Sequence, residues 1–340
     1  MYELLGITLV LALLLTINAT ATLVASGIAR VSKRLLWRCS ARTRAEILFV
    51  MRIGPPVIAI VAIATLLIPS YLKHEPQTTN ETVTLKLGVL AAISAIGVAL
   101  AILRGLRSWL ATRSLLKEWL SASTPIHLEA VKVPTFVLPH SFPIIAVVGA
   151  IRPRLFIASH VLEKLSDEEL AAAIAHEYGH LAAQDNFKRS VMRISRAALL
   201  IIPCGRWLDR TWSEASESAA DEYAAQRSSQ VALDLASALV RIARMIPQGQ
   251  RQTLPAAVSG FLIGTDTPGV KVRVSRLVEL AATDPRDLGS SAPLVRFIPW
   301  FVLTLVVVIS VSIESRPQVL ASVHEFVEHA VRVSQLVHIK

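Results

Sequence analysis

The sequence predicts a multi-pass α-helical membrane protein with four spans and a mainly α, α+β domain between spans three and four. Of its 340 residues, 53% are hydrophobic, which is too apolar for an ordinary soluble domain. Residues 4–28, 53–72, 87–103 and 297–313 are each apolar and long enough to cross roughly 30 Å of hydrocarbon. The first stretch lacks the basic flank of a cleavable signal peptide, so we count it as a span.

Lys and Arg residues predict the orientation of these spans. The connection 29–46 contains six basic residues, whereas the connection 73–86 contains two lysines and two glutamates. The positive-inside rule therefore places the N-terminus and the C-terminal tail outside and residues 104–296 in the cytoplasm of a multi-pass protein of the cell membrane. Arg52 and Arg296 are expected at the inner ends of their spans, where their side chains can snorkel to water without a functional role.

The same observations divide the chain into three parts. Residues 1–118 form a three-span membrane region with basic inner loops, residues 119–290 a cytoplasmic domain, and residues 291–340 the fourth span with a short outer tail. Short apolar runs bounded by Pro and Gly at 142–148 and 155–158 predict a small sheet early in the cytoplasmic domain.

The net charge of +10 does not require a nucleic-acid partner. Much of it lies in the two inner juxtamembrane stretches, where anionic membrane lipid attracts basic side chains. The stretch 104–117 interleaves its charges with Leu and Trp and is expected to lie along the membrane surface. Cys39 and Cys204 are far apart and both predicted on the reducing side, so no disulfide is expected.

The cytoplasmic domain contains one HExxH sequence, from His176 to His180, in an Ala-rich helical stretch. Ser166 and Glu169 form a capping box ahead of this stretch, so the motif is predicted to lie within a helix. Four residues are about 400° of helix, which places His176 and His180 on one face, as two ligands of one Zn²⁺ require. Glu177 points about 100° away, where it can act as a general base toward water.

A third zinc ligand is predicted further along the chain. Glu217 and Asp221 are also four residues apart in a second Ala-rich helical run. Glu217 is the expected third ligand, and Asp221 is expected to orient a ligand imidazole from outside the coordination shell. A glutamate on a second helix is the gluzincin arrangement, so the domain is predicted to be a gluzincin metallopeptidase. The alternative is that residues 212–228 form a solvated helix face with ordinary acidic residues.

In such folds an edge strand lies beside the metal and can pair with an extended peptide. The residues from Pro247 to Gly269, rich in Gly, Pro, Gln and Thr, are expected to form a loop.

A second pair of histidines, His324 and His329, is five residues apart, which sets their side chains about 140° apart and disfavours a shared metal. The surrounding apolar stripe instead predicts an amphipathic helix on the outer leaflet or on a partner.

The chain resembles the BlaR/MecR-type antirepressor membrane zinc metallopeptidases over about residues 1–313. The matching parts are residues 149–157, Leu162, Leu165, residues 166–170, the HExxH, Asp185-Asn186 and residues 217–221. The resemblance implies that His176, His180 and Glu217 bind zinc, with Glu177 as the base. The chain differs after residue 313, where about 27 residues stand in place of the large penicillin-binding sensor domain, so β-lactam sensing is not expected.

The expected function is metal-assisted peptide hydrolysis with one Zn²⁺. Three hypotheses concern its biological role. The first is signal transduction, in which the protease cleaves a cytoplasmic transcriptional repressor. The second is quality control of membrane proteins, as in the HtpX/Ste24-type proteases, which share both motifs. The third, a non-catalytic receptor on a protease scaffold, is disfavoured because every expected ligand and the base are present.

Overall fold

The computed structural model describes residues 2–76, 83–128, 131–140, 142–197, 204–246, 258–260, 267–283, 297–314 and 316–336. The helices are α1 (Tyr2–Val31), α2 (Lys33–Leu36), α3 (Ala41–Ala62), α4 (Ile68–His74), α5 (Leu85–Ala122), α6 (Ser159–Lys164), α7 (Asp167–Ala183), α8 (Asp185–Ala197), α9 (Cys204–Ala225), α10 (Ser229–Met245), α11 (Thr267–Ala281), α12 (Ile298–Glu314) and α13 (Pro317–Leu336). The strands are β1 (Thr124–Ile126), β2 (Thr135–Leu138), β3 (Ile145–Val148), β4 (Arg154–Ala158) and β5 (Val258–Gly260).

Three long helices are apolar enough to cross a membrane. They are α1, the helix Ala41–His74, and α5. The second of these joins α3 to α4 through a π-helical turn at Ile63–Leu67. A fourth crossing requires α12 and α13 together, and these two helices meet at an angle of 98°. Three apolar helices therefore indicate membrane association, whereas the fourth span and the orientation stay predictions.

Helix α5 continues well beyond its apolar part. Its 38 residues would extend roughly 57 Å, nearly twice the thickness of the hydrocarbon. Residues 104–117 therefore prolong the third helix rather than turning onto the membrane surface as the sequence suggested. The last turns of α5 enter the domain that follows, where Trp119 is buried with its ring edge against Phe156. The predicted boundary between residues 118 and 119 falls inside this helix.

The predicted small sheet lies directly before α7. Its strand order is β1-β2-β4-β3-β5, with β2 and β4 parallel and the other neighbours antiparallel. Strand β3 packs against the HExxH helix and is paired on both sides, so β5 and not β3 is the edge strand on that side of the sheet. Strand β5 comes from the segment predicted as a loop. Three residues, Val258, Ser259 and Gly260, are too few to show a strand pattern in the sequence.

An apolar cluster joins the domain after α5 to the long apolar helices. Helices α8 and α9 pack against α3 and α5. The cluster comprises Ala29, Leu36, Ala45, Leu48, Phe49, Ile53, Met192, Leu208, Trp212 and Ala215. Polar contacts surround it: Lys188 bonds Glu46, and the backbone N–H of Ala41 donates to Glu222 at 3.0 Å. The two parts of the chain are therefore held together by a packed interface.

Arg52 lies inside this interface and does not snorkel to water. Only 1% of its side chain is exposed, and Nε donates to Oδ1 of Asp209 at 2.7 Å. The sequence-based expectation for Arg52 was wrong because α9 packs against α3 and supplies the carboxylate of Asp209 there. Arg296, the corresponding residue of the fourth span, lies outside the described residues.

Candidate metal centre

Helix α7 positions the two histidines. Ser166 accepts a hydrogen bond from the backbone N–H of Glu169, and the Glu169 carboxylate accepts one from the backbone N–H of Ser166, which completes the predicted capping box. The helix then runs unbroken through the HExxH motif. His176 and His180 are both buried, with ring centroids 4.8 Å apart and ring planes perpendicular. Their spacing on one face of a rigid helix is therefore as the sequence predicted.

Helix α9 brings the predicted third ligand to the same point. The Glu217 carboxylate lies 3.6 Å from Nε2 of His176 and 3.6 Å from Nε2 of His180. One ligand atom from each of these three residues lies within 4.8 Å of the others, a separation that a single metal ion can bridge. Glu217 is 26% exposed, whereas both imidazoles are buried, so the open side of the cluster lies toward Glu217.

The approach of α9 to α7 depends on Gly179. A Cβ atom at this position would lie 2.8 Å from Cα of Ala220, which is backbone and cannot rotate away. Gly179 therefore permits the close packing that places Glu217 opposite the two histidines. The HExxH motif allows any residue at position 179. Glycine is needed there because α9 packs closely against α7.

Each imidazole is oriented by a buried carboxylate. Nδ1 of His176 lies 2.9 Å from Oδ1 of Asp221, and Nδ1–H of His180 donates to Oδ2 of Asp185 at 2.7 Å. A hydrogen on Nδ1 leaves Nε2 with its lone pair, and both Nε2 atoms face Glu217. This carboxylate–histidine arrangement is the usual outer shell of protein zinc ligands.

Unpaired polar atoms at the same point test whether a metal ion fits. Nε2 of His180 and Oε1 of Glu177 are buried, and neither has a hydrogen-bond partner within the part of the chain that the structure describes. A buried ring nitrogen without a hydrogen-bond partner costs free energy unless an ion or another group satisfies it. Two imidazole nitrogens and one carboxylate are also the donor set of three-ligand catalytic zinc sites. The residues present therefore fit one Zn²⁺.

Asp185 was not assigned a role from the sequence beyond its place in the resemblance. It orients His180 as Asp221 orients His176, and it also accepts a hydrogen bond from Ser216 at 2.6 Å. Gln184 ends α7 in the left-handed region with φ of 56°, and Asp185 begins α8 immediately afterwards. The sequence shows an acidic residue five positions after His180. Whether its side chain points toward His180 depends on this turn.

Arg273 is a second site residue that the sequence did not reveal. Its guanidinium donates to both Asp221 oxygens, at 2.7 Å and 3.0 Å, and lies 3.3 Å from Oε2 of Glu217. Arg189 donates to the other oxygen of Glu217 at 3.0 Å. Arg273 lies on α11, which follows segments outside the described residues, so local spacing gave no indication of it. The two arginines fix the carboxylates that face the histidines.

Glu177 lies between the metal cluster and the sheet. The backbone N–H of Val147 on β3 donates to Oε2 of Glu177 at 3.3 Å. Asn186 in turn donates to the carbonyls of Val147 and Gly149, which ties the start of α8 to the same strand. Burial raises the pKa of Glu177 to about 7, although the neighbouring imidazoles act in the opposite direction. A carboxylate with this pKa can accept and release a proton near neutral pH.

The charges of the protein groups favour a cation at the centre. Burial alone would lower the pKa of His180, but the carboxylates of Glu217 and Asp185 raise it to about 10. Burial alone would also raise the pKa of Glu217, yet the two imidazoles and Arg273 hold it well below its usual range. Because a metal-bound imidazole must be neutral, a divalent cation would replace the proton of His180.

A comparison with known families agrees with this geometry. The sequence profile of Peptidase family M48 matches residues 146–288, a range that includes His176, Glu177, His180 and Glu217. No curated protein matches the chain. The family match and the three apolar helices support a membrane metallopeptidase. The narrower resemblance to BlaR/MecR-type proteins stays a prediction.

Proposed function

We propose that the chain is a membrane-embedded zinc metalloendopeptidase in which His176, His180 and Glu217 hold one Zn²⁺. The observation that carries the proposal is the convergence of two Nε2 atoms on the Glu217 carboxylate, each imidazole being oriented by a carboxylate at Nδ1. Such an arrangement orients the imidazoles to bind a metal ion. If the acids lay on a solvated helix face, they would not contact two buried histidines. The solvated-face alternative for residues 212–228 is therefore disfavoured.

The proposed chemistry is hydrolysis of a peptide bond. When bound, Zn²⁺ supplies Lewis acidity toward the scissile carbonyl and makes a water molecule more acidic. Glu177 accepts the proton of the attacking water and passes it to the leaving amine. The N–H of Val147 holds Oε2 of Glu177, so the buried Oε1 is the oxygen that exchanges the proton. Asp221 and Asp185 keep the ligand imidazoles in the tautomer with the lone pair on Nε2.

The first test is dependence on metal. Purified full-length protein in detergent should cleave a set of fluorogenic peptides, lose this activity on chelation, and recover it with about one equivalent of Zn²⁺ per chain. A protein that binds Zn²⁺ but hydrolyses no peptide or protein substrate would favour the non-catalytic receptor instead.

The proposed setting is the cell membrane, with the domain at 119–290 in the cytoplasm and both termini outside. The three candidate spans and the Lys/Arg asymmetry support the cytoplasmic position of the domain, and the proposed fourth span at 297–313 returns the C-terminus to the outside. Reporter fusions after Arg44, Thr79, Asp284 and Lys340 should read in, out, in and out. A cytoplasmic reading after Lys340 together with an outside reading after Asp284 would invert the topology.

The proposed substrate is a cytoplasmic transcriptional repressor, so that the protease transmits a signal from the membrane. Packing of α9 against α3 supports this, because the helix that carries Glu217 is mounted on a membrane helix. Co-expression with a repressor encoded nearby should give a discrete fragment that is absent with Glu177→Gln. Turnover of misfolded membrane proteins, with the repressor left intact, would favour the quality-control function instead.

A further inference from the structure

A second cluster of metal-ligating side chains lies at the far end of the helix Ala41–His74 from the catalytic domain. Glu75 follows the last turn of α4, and His324 and Glu328 are one turn apart on α13. One ligand atom from each of these residues lies within 4.8 Å of the others. The 34-residue helix would be roughly 50 Å long, and its other end, at Ala41, bonds Glu222 of α9.

The distances place His324 between two acids. Nδ1 of His324 lies 3.9 Å from Oε2 of Glu75, and Nε2 lies 3.5 Å from Oε1 of Glu328. The side chain of Glu75 is 8% exposed and that of His324 17% exposed, so two of the three groups have little access to water. A cation bound here would be shared by two carboxylates and one imidazole.

A cavity of suitable size adjoins the cluster. Its volume is about 20 Å³, and its polar wall includes Ser70, Glu75, His324 and Glu328. A space of this volume accommodates a single water-sized particle and is too small for an organic ligand. Leu5 and Leu67 form part of the apolar wall. The cavity therefore suits an ion that keeps few of its water ligands.

The two helices that carry the ligands are already fixed to each other. The Ser70 hydroxyl donates to the carbonyl of Leu320 on α13 at 2.7 Å, and the side chain of Leu320 is buried. His74 donates from Nδ1 to the carbonyl of Ser70 at 3.2 Å and stacks on His324 with ring centroids 5.7 Å apart. The ligands of the cluster are thus brought together by packing and not by chance proximity of mobile side chains.

We propose that Glu75, His324 and Glu328 form a second cation site, which binds a divalent first-row transition metal. One imidazole with two carboxylates is a donor set of intermediate softness, which suits Zn²⁺, Co²⁺, Mn²⁺ or Fe²⁺ better than Mg²⁺ or Ca²⁺. Occupancy of the site ties α13 to the end of α4. Within α13, His324 pairs with Glu328, four residues further along. It does not pair with the exposed His329, the second histidine of the pair seen in the sequence.

Cobalt titration of the full-length chain tests the proposal independently of the peptidase. The starting protein carries His176→Ala and His180→Ala, which remove the ligands of the first site, and is stripped with chelator in detergent. Co²⁺ binding is followed by visible absorption and calorimetry. We expect about one Co²⁺ per chain, with an affinity at least about tenfold weaker after Glu75→Gln or His324→Ala. His329→Ala is the matched control and should bind Co²⁺ unchanged.

Two results would overturn the second site. One is no Co²⁺ or Zn²⁺ binding up to about 1 mM, which would mean that the three side chains meet without holding a metal ion. The other is binding that survives both Glu75→Gln and His324→Ala. Circular dichroism checks that each variant keeps its helices. The isosteric Glu75→Gln decides the matter if His324→Ala does not fold.

Discussion

The two halves of α9 have opposite chemistry. The first half packs apolar side chains, Leu208 and Trp212, into the cluster that includes Phe49 of α3. The second half faces α7 with Glu217 and Asp221, which contact the buried histidines. Apolar packing tolerates small shifts, whereas hydrogen bonds and metal ligation depend on direction and distance. One helix therefore joins an adaptable membrane interface to a site with strict geometry.

Under the proposed function, this comparison gives a path from the membrane helices to the proposed metal site. Asp209, which bonds Arg52 of α3, lies about two turns before Glu217 on the same helix. A displacement of the first half of α9 along or about its axis is carried to Glu217 because the helix is rigid on this scale. The two halves should thus respond differently to substitution, and each variant below changes one of them or its contacts.

The largest expected effect is loss of a metal ligand. His180→Ala removes a ligand that faces the second half of α9 and should lower zinc affinity by more than about 100-fold, beyond the effect of removing an outer-shell partner. Hydrolysis should be lost with it. Metal analysis and peptide cleavage measure both, with His127→Ala, an exposed histidine directly after β1, as the control. Retention of a full zinc equivalent would contradict the assigned ligand set.

The first half of α9 can be loosened at its buried ion pair. Arg52→Met leaves Asp209 without its guanidinium and should destabilise the fold by about 3 kcal/mol. Thermal unfolding in detergent measures this, and the exposed Arg34→Met should have little effect. The double variant Arg52→Met with Asp209→Leu should recover much of the loss, since no unpaired charge then remains. A double variant less stable than Arg52→Met alone would contradict this view of the pair.

The contacts between the second half of α9 and the histidines can be weakened without replacing a proposed metal ligand. Asp221→Asn leaves His176 without its carboxylate, and Asp185→Asn does the same for His180, so each should lower zinc affinity about 10–100-fold. Competition with a chelator of known affinity measures the change. Asp234→Asn on α10 should leave zinc affinity as it is. Equal affinity in all three variants would mean that the carboxylates do not orient the histidines.

The smallest expected effect concerns the spacing of the helices. Gly179→Ala forces α7 and α9 apart at Ala220, which should move Glu217 from the histidines and lower zinc affinity about tenfold, the lower end of the outer-shell range. Gly27→Ala on α1 is the matched control, because a Cβ there meets no atom within 4 Å. Zinc affinity that is unchanged by Gly179→Ala would show that the helices can separate without cost to the site.

Local spacing explains why much of the centre could be predicted from sequence. His176 and His180, like Glu217 and Asp221, are pairs four residues apart, and the helical period alone sets each pair on one face. Asp185 and Arg273 could not be found this way. The first depends on a left-handed residue at the end of α7, and the second comes from a helix about 50 residues beyond Asp221.

The fold shows the same division between local and distant information. Hydropathy located the three long apolar helices because each is a continuous run. It could not show that α9 covers Arg52, or that three residues at 258–260 complete the sheet beside β3. Both depend on partners far away in the chain, which no window of sequence contains.

The central claim is that Glu177 moves the proton while His176, His180 and Glu217 hold the metal. The most direct measurement is the zinc content and peptide hydrolysis of Glu177→Gln beside the wild type, with the exposed Glu168→Gln on the same helix as the control. Glu177→Gln should keep about one zinc ion per chain and lose hydrolysis at least about 100-fold, since only the base is removed. Hydrolysis at the wild-type rate would contradict the account.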